Sequence, residues 1–460
     1  MISCPRIVMA GTNSGTGKTS LSIALVAALK KRGLRVQAFK VGPDFLDPTL
    51  LSAVSGRECF NLDAWMMGKD YALDLFARKT ADADIAVVEG VMGMFDGAEP
   101  KSSHGSTAEM AQWLESPVLL VVDASGMSRS IAATVKGFSG FEPGVNIHGV
   151  IANRVGSERH AKMLSEALQS CSLPPLVGAI PKGAFPPLAS RHLGLVNARA
   201  QNLSPEVLAQ FAAAVEENAD VDAIIQMARK APRIAGGGLP AGTPAKKRVA
   251  VGIAFDDAFS FYYRDTLSAL EAAGCDLVRF SPIADGKLPE GLSALYFGGG
   301  YPEEHARELC ENRGMLEDVR RFASTDRPIY AECGGLMYLS DGVELRDGGK
   351  FPLAGILPSW VKMNEKFRAL GYAEVVLKKD TLVGGAGARL RGHRFHYSGL
   401  ARDPVRGGWD TAYSLTGRNG GPASDEGYQR GNVLASYVHL HMASRPDSIN
   451  NFIACCARGL

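Results

Sequence analysis

The chain has 460 residues, of which 46% are hydrophobic and 21% charged, with a formal net charge of +2. This balance argues against a disordered chain, and the lack of clustered Lys and Arg argues against a nucleic-acid surface. Eight scattered cysteines, with no CxxC pair and only Cys455 and Cys456 adjacent, argue against a zinc site or a disulfide framework and fit a reducing cytoplasm. Apolar runs such as 117–122 are of strand length, well short of the roughly 20 residues that span a bilayer, and residues 6–10 read as a strand, not a leader.

A chain of this length suits two domains of roughly 200 residues each. In chain order, short apolar runs predict strands at 7–10, 35–41, 85–89, 118–123, 147–153 and 176–180. Helices are predicted at 18–32, 130–138, 158–170 and 205–229. The Gly/Pro-rich stretch 235–244 has nothing to bury and reads as a linker, taken over 233–246. A second alternating unit follows, with strands at 248–254, 295–297, 328–331 and 433–438. The expected class is α/β with parallel sheets: one domain over 1–232 and another over 247–460.

The first strand runs into Gly11-Thr12-Asn13-Ser14-Gly15-Thr16-Gly17-Lys18-Thr19. A Gly-rich turn between strand and helix lets backbone N–H groups crowd around phosphate oxygens, and the helix dipole adds to the attraction. Gly11, Asn13, Ser14, Gly15 and Gly17 are the expected cradle, Lys18 reaches the terminal phosphates, and Thr19 offers its hydroxyl to Mg²⁺. The loop departs from GxxxxGK[ST], because Thr12 stands where the first glycine belongs and Gly11 comes one residue early. Carboxylates at strand ends strengthen the reading. Asp44 and Asp47 lie in 41–48, Glu89 ends the strand 85–89, and Asp96 follows in 93–97. Asp44 and Glu89 are candidate metal ligands, and Asp47 and Asp96 candidates for substrate activation. Any one of these acids has helix capping as its alternative. Asn153, also at a strand end, is a candidate for reading adenine or for forming a turn.

In the second unit, Pro328–Met337 reads as strand, sharp turn and helix with Cys333 at the turn. A nucleophile placed there is exposed by its strained backbone, and the helix dipole is expected to favour the thiolate. Its base is sought in Ser436-Tyr437-Val438-His439-Leu440-His441, where the strand period of two would point both histidines the same way. Gly299, Gly300 and Gly334 are candidate oxyanion donors.

Together these segments resemble the cobyrinate a,c-diamide synthase family over essentially the whole chain. The resemblance rests on the 11–19 loop, 41–48, 89–97, Arg191–Leu195, 258–263, 298–303, Cys333, 392–398 and 436–441. It implies an N-terminal P-loop dethiobiotin-synthetase-like domain and a C-terminal class I glutamine amidotransferase-like domain. It also implies ATP, Mg²⁺, L-glutamine and a corrinoid macrocycle as ligands, with no nucleic-acid or membrane partner. In that chemistry ATP phosphorylates a side-chain carboxylate and ammonia from glutamine displaces phosphate, first at one acid and then at a second. Cys333 matches the nucleophile and His439 its base. His441 stands where many class I glutaminases have glutamate, so the third member of a triad is left open. Arg394 stands where an acid is expected, and Tyr262 and Tyr263 are candidates either for lining the macrocycle site or for the core. Hydrogenobyrinate and nickel-sirohydrochlorin are alternative acceptors. More distant alternatives are a partition-type ATP switch, which would need no thiol, and a dethiobiotin-type ligase, which would leave the second unit without a purpose.

Overall fold

In the computed structural model, the first unit is built outward from β1 (Arg6–Gly11), all six of whose residues are buried. Its seven strands lie in the order β3-β2-β4-β1-β5-β6-β7, with β2 at Val36–Val41, β3 at Phe60–Leu62, β4 at Ile85–Glu89, β5 at Val118–Asp123, β6 at Ile147–Val155 and β7 at Leu176–Pro181. Every pairing in this sheet is parallel. Helices cover both faces of such a sheet, which is why these strands read as continuous apolar runs. The chain leaves β1 for β2, returns to β4 on the same side and then crosses to β5 on the other. The crevice beyond the carboxyl ends of β4, β1 and β5 is therefore where a ligand belongs. Helices α1 (Lys18–Lys31) and α2 (Leu46–Ser55) leave from that edge.

The structure describes residues 1–187, 203–238, 248–418 and 420–458. By contact the chain divides into two units, 1–239 and 240–460. The segment Arg191–Leu195 and the linker beyond residue 238 lie outside the described residues. The start of the linker is not loose. Ile234 bridges to Ile2, and a methyl group on Gly237 would fall 1.7 Å from the Asp70 carbonyl oxygen.

The helix expected over 205–229 is two helices, Pro205–Asn218 and Val221–Arg229. The break comes from Asp220, whose N–H is drawn to the Val177 carbonyl at 2.8 Å while its carboxylate caps the second helix through the Ala223 N–H at 2.8 Å. Helix α2, the helices Ala64–Lys79 and Thr107–Trp113, and the three-residue strand β3 were not foreseen. Most of these segments are too short for a period to register.

The second unit departs further from expectation. Strands β8 (Val249–Ala254), β9 (Cys275–Phe280), β10 (Ala294–Phe297) and β11 (Ile329–Glu332) pair in parallel, and Val433–Ser436 adds to β11 in the same sense. From there the sheet continues antiparallel through Gly420–Arg430, Asp410–Gly417, Ala369–Leu377, Arg389–His396 and His439–Leu440. A four-stranded sheet of Lys350–Pro352, Ser340–Glu344, Leu357–Met363 and Ser398–Leu400 stands apart from it. The reason is visible in burial: Leu357–Met363 alternates buried and more exposed positions, the pattern of a strand with one wetter face and not of a covered parallel strand.

Arg6 ties the first unit together from a fully buried position. Its guanidinium donates to the carbonyls of Leu114 at 2.6 Å, Cys4 at 3.2 Å and Pro232 at 2.7 Å. Arg6→Ala leaves these carbonyls unmatched and should lower stability by about 3 kcal/mol. An unchanged midpoint in denaturant unfolding would remove Arg6 from this role.

Candidate active sites

The loop after β1 closes only with glycine at two places, Gly15 at φ 83° and Gly17 at φ 93°. Beside it, Asn153 on β6 donates from Nδ2 to the Thr16 carbonyl at 2.8 Å and accepts the Arg154 N–H on Oδ1 at 2.9 Å. The amide nitrogen thus braces the loop, a role that neither adenine reading nor turn formation anticipated. Asn13, Ser14 and Gly15 are exposed, as a cradle for a ligand must be, and Gly11 is buried at the strand end.

Lys18 is buried, and its ammonium turns back onto the carbonyls of Asn13 and Met92. Burial, with the charge of Lys40 added, pushes it down to about 8. The Thr19 hydroxyl lies 2.8 Å from Glu89 Oε1 and 3.3 Å from Asp47 Oδ2. Between those carboxylates stands Lys40, a lone lysine in the buried strand β2, 2.7 Å from Glu89 and 2.8 Å from Asp47. Burial disfavours its charge, but Asp47 and Glu89 outweigh burial and hold the ammonium above its ordinary range. Burial in turn raises Glu89 to about 6 against the pull of Lys40. The sequence reading passed over Lys40; its signal is a cation inside a six-residue strand that is otherwise apolar or neutral, a placement that demands a partner.

Glu89 Oε2 is buried and accepts no hydrogen bond. An orphaned carboxylate oxygen beside a second carboxylate and a threonine hydroxyl fits a magnesium ion, which takes few protein ligands and fills its shell with phosphate and water. Among the described residues no group of three or more His, Cys, Asp and Glu could enclose a metal unaided, in keeping with such a shared site. Asp47, expected at substrate activation, is the acid that joins Thr19 and Glu89. Asp44, expected at the metal, accepts from the N–H groups of Leu46 and Asp47 at 2.7 and 3.2 Å and so caps α2. Asp96 is exposed, accepts the Gly93 N–H at 2.9 Å, and adds its field to Lys18.

In the second unit Cys333 follows β11 directly, at φ 47° and ψ −99°. A cysteine seldom adopts this backbone, and the cost is met by its surroundings. Its N–H donates to the Ser436 carbonyl at 2.7 Å, and the Gly335 N–H donates to the Gly298 carbonyl at 3.0 Å. A methyl group on Gly335 would lie 2.5 Å from the Phe297 oxygen, so the turn admits nothing larger. The surroundings of Cys333 oppose the expected thiolate. Burial, then the charge of Glu303, pushes the Cys333 thiol well up, against the Gly334 N–H that favours the anion. The helix behind it has only six residues, and burial outweighs its dipole.

His439 is buried with its Nδ1 4.0 Å from Glu332 Oε2 and its ring stacked on His393 at 4.9 Å. Burial, reinforced by His393 and His396, holds it well below its ordinary value and favours the neutral imidazole. His441 has its own carboxylate: Nε2 lies 2.9 Å from Asp265 Oδ2, and its ring lies 5.0 Å from that of Tyr263. The two histidines are therefore differently partnered. Glu332, missed in the sequence reading although it adjoins Cys333, accepts from the Tyr330 hydroxyl at 2.6 Å, the Tyr296 hydroxyl at 3.0 Å and the Leu440 N–H at 3.0 Å. Burial raises it to about 7.

Of the three candidate oxyanion donors, Gly299 is committed elsewhere, because its N–H donates to the Phe261 carbonyl at 3.2 Å. Its place is steric: a methyl group there would fall 2.2 Å from His439 Cε1. Gly300 and Gly334 adjoin each other, with the Gly300 nitrogen 3.0 Å from where a Gly334 methyl would stand. Tyr262 is core, its hydroxyl accepting the Gly298 N–H at 2.8 Å and so supporting the glycine loop. Tyr263 is also buried, with its hydroxyl 2.7 Å from His393 Nδ1. Arg394 is half-buried and acts on Glu426 and His396 through its charge.

Comparison with known proteins matches residues 7–194 to the CobQ/CobB/MinD/ParA nucleotide binding domain and residues 250–447 to the CobB/CobQ-like glutamine amidotransferase domain. The cobyrinate a,c-diamide synthase of Syntrophotalea carbinolica is 54% identical over 455 residues, covering 99% of each chain. That of Leptospira interrogans is 43% identical over 462 residues, again 99% of each. That of Salmonella typhimurium is 40% identical over 469 residues, 98% of each.

The lowered Lys18 pKa carries a sign. Below about 8 the side chain is a cation that a nucleotide's phosphates attract; above it, in the free protein, the charge is lost. ATP affinity measured by calorimetry should therefore weaken as pH rises from about 7 to 9.5. A flat profile would show that Lys18 is not the counter-charge to phosphate.

Proposed function

The chain belongs to the cobyrinate a,c-diamide synthase family, and on that premise we propose that it amidates the a and c side-chain carboxylates of cobyrinate, with ATP as activator and L-glutamine as nitrogen donor. What carries the reading is the presence on one chain of a phosphate loop backed by Thr19, Asp47 and Glu89 and of a cysteine held at φ 47° in a glycine-lined turn. No described helix is long and apolar enough to cross a membrane. We assign the reaction to the cytoplasm, whose reducing conditions the free cysteines fit.

A carboxylate is a poor electrophile, so its oxygen must first attack the γ-phosphorus of ATP, releasing ADP and leaving an acyl phosphate. Lys18, freed from the carbonyls it holds at rest, would follow the charge on the transferring phosphoryl. Thr19, Asp47 and Glu89 would hold Mg²⁺, which supplies charge neutralisation to the phosphates when bound; Lys40 keeps the two carboxylates together. Ammonia then attacks the acyl carbon and inorganic phosphate leaves, giving the carboxamide. The second carboxylate repeats the sequence.

Ammonia comes from the second unit. Cys333 attacks the side-chain amide carbon of glutamine, and His439 takes the thiol proton and returns it to the departing ammonia. The Gly300 and Gly334 N–H groups face the oxygen on which charge gathers. Water then cleaves the thioester to glutamate. Because the thiol is raised in the resting protein, a base is indispensable. Glu332 is the carboxylate that orients His439, provided from β11 where His441 leaves the usual place without an acid.

The test offers cobyrinate, hydrogenobyrinate and nickel-sirohydrochlorin in parallel with ATP, Mg²⁺ and glutamine, and counts carboxamides by mass spectrometry. Two amides on cobyrinate are expected. Cys333→Ser should abolish the glutamine-dependent reaction and keep the ammonia-dependent one. Amidation confined to another macrocycle would reassign the substrate, and loss of both reactions in a folded Cys333→Ser protein would sink the division of labour. Glu332→Gln should lower kcat for glutamine hydrolysis by about 10² with little change in KM.

A further inference from the structure

Glu303 has no part in the chemistry above, and its setting is costly. It follows the glycine loop 298–302, and that loop rests against the nucleophile's turn: a methyl group on Gly334 would lie 3.0 Å from Pro302 Cδ. Glu303 Oε2 is buried and accepts no hydrogen bond. A carboxylate oxygen removed from water without a donor is destabilising while it is charged. Glu303 also works against the nucleophile, being the largest influence after burial itself in holding the Cys333 proton on. Burial raises Glu303 to about 7, so its charge is held cheaply only when a cation arrives to meet it.

We propose that Glu303 is the receptor for the α-ammonium group of L-glutamine, and that it selects the free amino acid as nitrogen donor. This rests on the glutaminase reading of the second unit and deepens it. Glutamine is a zwitterion, and Arg346 provides the opposite charge: its field reaches Glu303, and its guanidinium lies over the Tyr397 ring, 5.3 Å from the centroid. A carboxylate and a guanidinium within reach of each other's field match the two ends of an amino acid and leave the side-chain amide for Cys333.

The measurement compares kcat/KM for hydrolysis of L-glutamine with that for its des-amino analogue glutaramate, which keeps the amide and the carboxylate but lacks the ammonium. The native protein should favour glutamine by about 10² or more. Glu303→Gln should reduce kcat/KM for glutamine by a similar factor and leave glutaramate within about threefold, so that the ratio collapses. Glu303→Asp, which keeps the charge, should retain most of the ratio and serves if the first variant does not fold. Ammonia-dependent amidation should be unchanged in both. A ratio preserved in Glu303→Gln, even with both rates lowered, would overturn the proposal and leave the glutaminase reading standing. So would a native protein that hydrolyses the two compounds equally. A native protein that hydrolyses neither would sink the glutaminase reading, and this assignment with it.

Discussion

Parallel pairing of β2 with β4 sets Lys40 directly opposite Glu89, and the ion pair formed there, 2.7 Å long and closed to water, is what the first site depends on. Asp47, from α2, closes on the same ammonium at 2.8 Å. Three charges so deeply buried are tolerable only together. Removing one partner of such a group usually costs about 3–5 kcal/mol, because the survivors keep their desolvation penalty. The result is a rigid acidic edge at the carboxyl end of the sheet, in register with the phosphate loop because β1 also pairs with β4, Met9 opposite Glu89.

The second unit solves its problem with the same device. Glu332 stands opposite Ser436 in the parallel ladder, and one residue later the Cys333 N–H takes the Ser436 carbonyl. The ladder therefore continues into the strained turn and holds it. His439 arrives three residues beyond Ser436 and is fixed from the other side by pairing with His393. Cys333, His439 and Glu332 are all placed by strand register, which makes their spacing insensitive to the loops around them.

In both units burial sets the resting protonation states against the chemistry. It lowers Lys18, raises Glu89, raises the Cys333 thiol and lowers His439. An incoming charge of the right sign reverses such a shift, as phosphate would for Lys18 and a metal ion for Glu89. Perturbed groups gathered at strand ends are what a site looks like before its ligands arrive.

By itself the sequence determined the two-unit α/β plan, the phosphate loop, Cys333 at its turn and the family, because these are written in local order: a strand, a glycine-rich turn, a helix. Only the tertiary structure decided which acids meet. Asp44 and Asp47 are three residues apart and look alike in the sequence, but α2 turns one into a cap and the other into a partner of Thr19. Lys40, Glu332 and Asp265 gained their meaning from neighbours 49, 107 and 176 residues away, at distances that no local pattern encodes. Gly299 lost its expected role to a hydrogen bond with Phe261, and the thiolate expected from a helix dipole gave way to burial. Periodicity reports which face of an element is apolar; it carries no information about which carboxylate, imidazole or amide will stand across from it once the sheet has closed.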